Sequence, residues 1–343
     1  MTTADLDEGP EELTLAGEFD TPTREQWREL VAGVLAKSGR EVSPADAEAA
    51  LATVTDDGIT IAGLYAAEDA PDVDTGVPGL SPFVRGARPE GAVAEGWVVR
   101  QRHAFPRDTE RDGISEAHDV LMAELENGVS SLWLVLGEAG GPPVDALPTL
   151  LEGVFVDLAP IALEAGRDTP EAAAALLRFA EQAGAGAIPG SLGYDPLLDR
   201  TRGGPSLDQA YTDALVEHAR TAAASHPQLR TLVADGLPYH QAGGSDAQEL
   251  GAALAAGVHA LRLLTDAGLT TDEAFARIEF RFAATADQFA TLAKLRAVRR
   301  CWDRIGDVSG AAEPARAMVQ HAVTSPAMIT RRDPWVNMLR TTV

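Results

Sequence analysis

The residue pair best suited to chemistry is Tyr239-His240, in the string Leu-Pro-Tyr-His-Gln-Ala-Gly-Gly. It follows an apolar run at 231–235 that is typical of a β-strand. A phenol and an imidazole side by side can donate hydrogen bonds to a substrate carbonyl, and the imidazole can also exchange a proton near neutral pH. The alternative, which composition alone favours, is a loop pair whose polar groups bond only to the backbone.

Three other polar side chains stand on or after runs that resemble strands. Arg100 and Arg102 belong to the first run, at 97–102, and His321 belongs to the last, at 318–324. Barrels of parallel strands place their functional residues at the carboxyl ends of those strands. These three residues therefore join Tyr239-His240 as candidates for a single site.

Other kinds of site have less support. The seven histidines form no His-Glu-x-x-His pattern and no pair at i,i+4, so a metal site would need ligands from distant parts of the chain. The sequence contains no Walker P-loop and no Gly-x-Ser-x-Gly motif. Cys301 and Lys294 both lie in helical patterns, so neither a cysteine nucleophile nor a Schiff-base lysine is indicated.

From residue 97 onward, apolar runs alternate with amphipathic segments, which predicts parallel strands with helices outside them. The predicted strands are 97–102, 131–136, 153–157, 187–192, 231–235, 278–282 and 318–324, and the clearest helices are 116–127, 170–183, 207–225, 246–267 and 288–304. No Gly-rich phosphate turn follows the first strand, which disfavours a doubly wound sheet. The expected fold class is α/β, a TIM-type β/α barrel that is incomplete, with about seven of eight strands.

Residues 1–96 are expected to form an N-terminal extension, and 97–343 the barrel. The extension contains an amphipathic helix at 23–37 and a connection at 66–96 that is rich in proline and glycine.

Lys and Arg number 28 against 52 Asp and Glu, which gives a net charge of −24. This charge disfavours nucleic acid and anionic membranes as partners. The single cysteine, the acidic start and the lack of a long apolar stretch predict a cytoplasmic protein without a membrane span. Residues 277–343 are locally basic, which indicates either solvated helix faces or a surface for a partner or a phosphate-bearing ligand.

Three strings carry a resemblance to a known family. They are Gly76-Val-Pro-Gly-Leu-Ser-Pro-Phe-Val-Arg-Gly86, Phe289-Ala-Thr-Leu-Ala-Lys-Leu-Arg-Ala-Val-Arg-Arg-Cys-Trp302 and the segment 330–342. They resemble methylmalonyl-CoA mutases in the stretch before the barrel, in the helix after the sixth strand and in the segment after the seventh. The resemblance implies a cobalamin-dependent isomerase that interconverts methylmalonyl-CoA and succinyl-CoA, with the acyl-CoA threaded along the barrel axis. It also implies that an eighth strand and a cobalamin-binding domain follow Val343. This chain contains no D-x-H-x-x-G motif, so no cofactor is expected on it.

Within the family, the substitutions resemble the small (beta) subunit. Where catalytic chains read R-P-W-T-I-R-Q-Y, this chain has Glu95, Val98 and Arg102 in place of the arginine, the threonine and the tyrosine. Gly193 replaces the glutamine of G-T-I-Q-N-D, and Val323 replaces that of H-C-Q-T-S.

Arg100 survives as a candidate for substrate binding, and Tyr239-His240 matches the catalytic tyrosine–histidine pair. The resemblance thus implies a non-catalytic subunit that forms a heterodimer with the large (alpha) subunit, which would bind the acyl-CoA and adenosylcobalamin. The alternative is an active isomerase that uses Tyr239 and His240 with cobalamin supplied by another chain.

Overall fold

The computed structural model describes residues 17, 19–91, 93, 96–108, 111–197 and 208–342. The chain divides into two compact units, with the boundary between Val73 and Asp74. The first unit contains helices α1 (Arg24–Lys37) and α2 (Ala47–Leu51), followed by the short antiparallel strands β1 (Thr53–Val54) and β2 (Thr60–Ile61).

Helix α1 begins where the sequence predicts, because Thr23 and Gln26 form a capping box that satisfies the first backbone N–H groups. Arg24 and Arg28 on this helix both form ion pairs with Glu48 of α2. These contacts hold the two helices of the first unit together.

The second unit is a seven-stranded parallel sheet curled into a half-barrel. Its strands run in sequence order: β3 (Arg100–His103), β4 (Ser131–Val135), β5 (Ile161–Glu164), β6 (Gly190–Tyr194), β7 (Leu229–Asp235), β8 (Ile278–Ala284) and β9 (Gln320–Thr324). The helices between them are α3 (Arg111–Glu126), α4 (Leu147–Leu150), α5 (Thr169–Gln182), α6 (Gln209–Ser225), α7 (Leu237–Gln241), α8 (Asp246–Asp266), α9 (Thr271–Phe275) and α10 (Gln288–Val308), and α11 (Trp335–Thr342) follows β9. The predicted incomplete TIM-type barrel is confirmed.

The main core lies between the outer face of the sheet and the helices. Phe280 and Phe282 of β8 point into it, and Trp302 of α10 packs edge-on against Phe280 with ring centroids 4.7 Å apart. Gly257 of α8 permits this packing, because a Cβ atom there would lie 2.7 Å from the Phe280 ring.

One predicted strand is wrong. Residues 153–157 form turns, and the third strand of the sheet is β5, Ile161–Glu164. Val154 and Val156 are nevertheless buried in the main core, so their apolar character reflects tertiary burial of a turn and not strand alternation.

The alternation along β8 sends a different kind of side chain inward. Phe280 and Phe282 face the helices, while Glu279 and Arg281 between them are buried on the concave side of the half-barrel. The interior of the half-barrel is therefore polar and charged.

No helix in the described ranges is both long and apolar enough to cross a membrane.

Candidate functional site

The predicted pair Tyr239-His240 lies on α7, the short helix that directly follows β7. The Tyr239 N–H donates to the Gly236 carbonyl and the Gly244 N–H donates to that of Tyr239, so the turn is closed by its own backbone. The pair therefore occupies the carboxyl end of a central strand, where barrels place functional residues.

His240 is engaged on its Nε2 side. Nε2 lies 2.6 Å from the hydroxyl oxygen of Ser325, the residue that follows β9. Nδ1 lies 3.9 Å from Glu249 Oε2, and only 14% of the His240 side chain is exposed. The ring is thus held between the ends of β7 and β9 by a short hydrogen bond.

Behind His240 lies a buried ion cluster. Lys294 Nζ of α10 lies 2.8 Å from Glu249 Oε2 and 2.9 Å from Asp246 Oδ1. The other oxygen of Glu249 accepts a 2.7 Å hydrogen bond from the N–H of Ala283 in β8. Both acceptor oxygens of Glu249 are therefore occupied, and the cluster joins α8, α10 and β8.

Arg100 and His321, predicted from the first and last strands, are brought together by the curl of the sheet. Arg100 Nη1 lies 3.3 Å from His321 Nδ1 and 3.2 Å from Glu279 Oε1. Burial, together with the positive charge of Arg100, lowers the pKa of His321 to about 3, so this imidazole is neutral at physiological pH. Burial alone would raise the pKa of Glu279, but Arg100 and the other nearby charges lower it below its usual range.

Arg102, the third candidate from the strand ends, forms a bidentate pair with Glu164 of β5, with both N–O distances at 3.0 Å. Its guanidinium carbon lies 5.2 Å from the centroid of the Trp133 ring. On the other side, Arg281 pairs with Asp235 at 2.8 Å, and its guanidinium carbon lies 4.0 Å from the same ring. Charged groups that could meet a substrate are thus bound to each other.

The positions at which this chain departs from the family's catalytic motifs differ in exposure and in the space around them. Gly193 has φ of +77°, and a Cβ there would lie 2.0 Å from the Leu163 carbonyl oxygen, so this backbone has no room for a side chain. Val98 lies two residues before β3 and is 57% exposed, and Val323 is half-buried on β9. Glu95 lies outside the described residues.

Sequence reasoning did not identify Ser325, Glu249, Glu279, Arg281 or Trp133 as members of the site. The alternation in Ile-Glu-Phe-Arg-Phe at 278–282 could have revealed two of them, because it places both charges on the face opposite the phenylalanines. The bond between Ser325 and His240 joins residues 85 positions apart, and no local pattern predicts it.

Within the described ranges, no three His, Cys, Asp or Glu side chains are grouped so that they could hold a metal ion. The site offers donors and acceptors that are largely satisfied by one another.

Comparison with known proteins gives a consistent result. The family profile described as methylmalonyl-CoA mutase matches residues 54–343. The chain is 54% identical to a methylmalonyl-CoA mutase small subunit of Streptomyces virginiae, over 96% of this chain and 52% of that protein. It is 35% identical to the small subunit of Propionibacterium freudenreichii subsp. shermanii, over 98% and 52%, and 26% identical to the methylmalonyl-CoA mutase of Escherichia coli, over 93% and 47%. The chain spans about half the length of the curated relatives that it matches.

Proposed function

The chain belongs to the methylmalonyl-CoA mutase family, and from this membership we propose that it serves as a non-catalytic small subunit. In this role it pairs with a catalytic large subunit and stabilises it as a heterodimer. The observation that carries the proposal is the bidentate pair of Arg102 with Glu164, because Arg102 stands where the family's substrate-contacting tyrosine is expected.

The ring nitrogens of His240 already face protein groups in this structure. A general acid or an electrophilic imidazole needs its N–H within hydrogen-bond reach of the substrate. Here Nε2 lies 2.6 Å from Ser325 Oγ, and the Nδ1 side faces the Glu249–Lys294 pair. A substrate carbonyl would have to displace the Ser325 hydroxyl before it could use His240.

The polar groups expected in a catalytic chain are also missing or committed. Arg102 stands where the family's substrate-contacting tyrosine is expected, and its guanidinium is bound to Glu164. Gly193 stands where a glutamine is expected, on a backbone that excludes any side chain. Hydrogen bonds to substrate lost in this way cost about 1–3 kcal/mol each when the substrate group is left unpaired.

The histidines of the site are not available to hold the cobalamin that the family resemblance implies. The two histidines at the inner face and carboxyl end of the sheet are His321, bonded to Arg100, and His240, bonded to Ser325. In the proposed heterodimer, the large subunit binds both the adenosylcobalamin and the acyl-CoA.

A second candidate function is an active acyl-CoA isomerase that uses Tyr239 and His240 with cobalamin from another chain. Its support is the position of this pair at the end of β7, in agreement with the family's catalytic pair.

The test separates the two candidates by turnover. We would purify this chain, a methylmalonyl-CoA mutase large subunit, and both together, and assay each for conversion of methylmalonyl-CoA with adenosylcobalamin. We expect the two chains to co-elute, the pair to be more thermostable than the large subunit alone, and no turnover by this chain by itself.

A His240→Asn variant sharpens the test. If His240 has no part in chemistry, the complex with this variant keeps the turnover of the unmodified complex. Loss of turnover in a complex that still forms, or any turnover by this chain alone, would support the isomerase instead. Failure to co-elute would remove the basis of the partner proposal.

A further inference from the structure

The concave side of the half-barrel carries two rows of side chains at neighbouring register positions. In the first row, Arg102 of β3 is paired with Trp133 of β4, and Trp133 with Ala162 of β5. In the second row, Asp235 of β7 is paired with Arg281 of β8, and Arg281 with His321 of β9. The rows belong to opposite halves of the curled sheet.

Trp133 joins the two rows. Its ring lies 4.0 Å below the guanidinium carbon of Arg281 and contacts the His321 ring edge-on, with centroids 5.2 Å apart. Arg102 lies 5.2 Å from the same ring. Trp133 is only 3% exposed although it is not part of the main core, so it is buried by the side chains of the half-barrel interior.

Each of the two guanidinium groups forms an ion pair with a carboxylate on a strand of the sheet. Arg281 is bound to Asp235 on β7, and both side chains are less than a tenth exposed. Arg102 is bound to Glu164 on β5, nearer to solvent. We call the series of contacting side chains Glu164–Arg102–Trp133–Arg281–Asp235 the axial plug. It spans the interior and carries no net charge. Cation–π contacts of this kind are strongest where water is excluded.

The wall beside the axial plug is small and polar. Ala162 and Ser191 are paired neighbours on β5 and β6, and both are fully buried. The hydroxyl of Ser191 has no hydrogen-bond partner among the described residues, and neither have Trp133 Nε1 and Arg281 Nε of the axial plug. Because the side chains of the wall are small here, the obstruction in this part of the interior is the bulk of the axial plug.

We propose that Trp133 and Arg281 are the specificity-determining residues that exclude the pantetheine arm of coenzyme A from the axis of this half-barrel. This proposal rests on the proposed non-catalytic function, which assigns the acyl-CoA to the large subunit. Trp133 supplies the bulk, and the Asp235–Arg281 pair holds the indole in place across the axis.

The experiment measures coenzyme A binding by calorimetry to the unmodified chain, to Trp133→Ala and to Phe282→Ala. Removal of the indole opens a space that we take to be near the ~150 Å³ of engineered cavities that admit benzene-sized ligands. Phe282→Ala is the matched control, because it deletes a buried aromatic ring in the main core, on the other face of the sheet. We expect Trp133→Ala to bind coenzyme A at least about tenfold more tightly than the other two proteins.

Thermal unfolding with added indole keeps the test decisive if Trp133→Ala folds poorly. Indole should refill the space and raise the Tm of Trp133→Ala, and coenzyme A should then compete with it. Trp133→Leu, which keeps an apolar side chain while removing bulk, repeats the calorimetry in a more conservative background. Folded Trp133 variants that bind coenzyme A no better than Phe282→Ala, or an unmodified chain that already binds it equally well, would overturn the proposal. Neither result bears on co-elution with the large subunit, so failure here is distinguishable from failure of the proposed function.

Discussion

Lys294 is the most informative position for testing how the end of the half-barrel near His240 is held together. The chain has only two lysines, and their surroundings are opposite: Lys37 is exposed at the end of α1, whereas the Lys294 side chain is 1% exposed. Lys294→Met keeps the length and the apolar stem of the side chain but removes the ammonium group that forms ion pairs with Glu249 and Asp246.

The expected loss of stability follows from the burial of Glu249. Its side chain is fully buried, and one of its oxygens must continue to accept the N–H of Ala283. Removing one partner of a buried ion pair leaves a charge without compensation and costs about 3–5 kcal/mol. For a unit of this size, roughly 2–4 °C of Tm is lost per kcal/mol, so Lys294→Met should melt on the order of 10 °C below the unmodified chain.

Urea denaturation followed by circular dichroism measures this loss. Lys37→Met is the matched control and should change the free energy of unfolding by less than about 0.5 kcal/mol. The double variant Lys294→Met/Glu249→Gln removes both charges while an amide oxygen still accepts from Ala283. Its loss in free energy of unfolding should therefore be smaller than the sum of the two single losses by at least about 1 kcal/mol. A Lys294→Met protein as stable as Lys37→Met, or strictly additive losses in the double variant, would refute the reasoning.

Three further outcomes can be measured on the same chain. The pKa of His321 is 6.5 in the unfolded chain and about 3 in the folded chain, so the unfolded chain binds the proton first as pH drops. The free energy of unfolding should therefore fall between about pH 6.5 and about pH 3, by up to ~1.4 kcal/mol per pH unit. Urea titrations of His321→Leu should lack this contribution to the pH dependence of the free energy of unfolding. Gly257→Ala should destabilise the chain by about 1–3 kcal/mol, because the new Cβ would lie 2.7 Å from Phe280. Gly251→Ala on the same helix has open space around its Cβ and should stabilise the chain by up to ~1 kcal/mol. Thermal melts that rank the two variants the other way would contradict this explanation. Arg277→Lys should cost about 2–4 kcal/mol in urea, because one ammonium cannot replace a buried guanidinium that donates to three backbone carbonyls, and a neutral effect would show that those bonds contribute little.

The sequence alone determines the local elements and the fold class of the second unit. Period-2 and period-3.6 patterns are properties of neighbouring residues, so helices such as Asp246–Asp266 and strands such as Ile278–Ala284 begin at their predicted residues. The wrong strand prediction at 153–157 also comes from reliance on a local pattern. The turn that contains Val154 and Val156 is buried in the folded protein, and a local apolar pattern cannot distinguish a buried turn from a strand.

The sequence also identifies Tyr239 and His240 as the residues at the end of β7, because they follow a recognisable strand. It does not show what engages them. The Arg100 guanidinium reaches His321 across 221 residues only because the sheet curls until its first and last strands face each other. The hydroxyl of Ser325 reaches His240 because β7 and β9 end on either side of β8. Side-chain alternation fixes which residues point inward, but the curvature of the sheet decides which inward residues meet. That curvature is set by the twist and packing of all seven strands together, and it turns a row of isolated charges into an interior of paired ones.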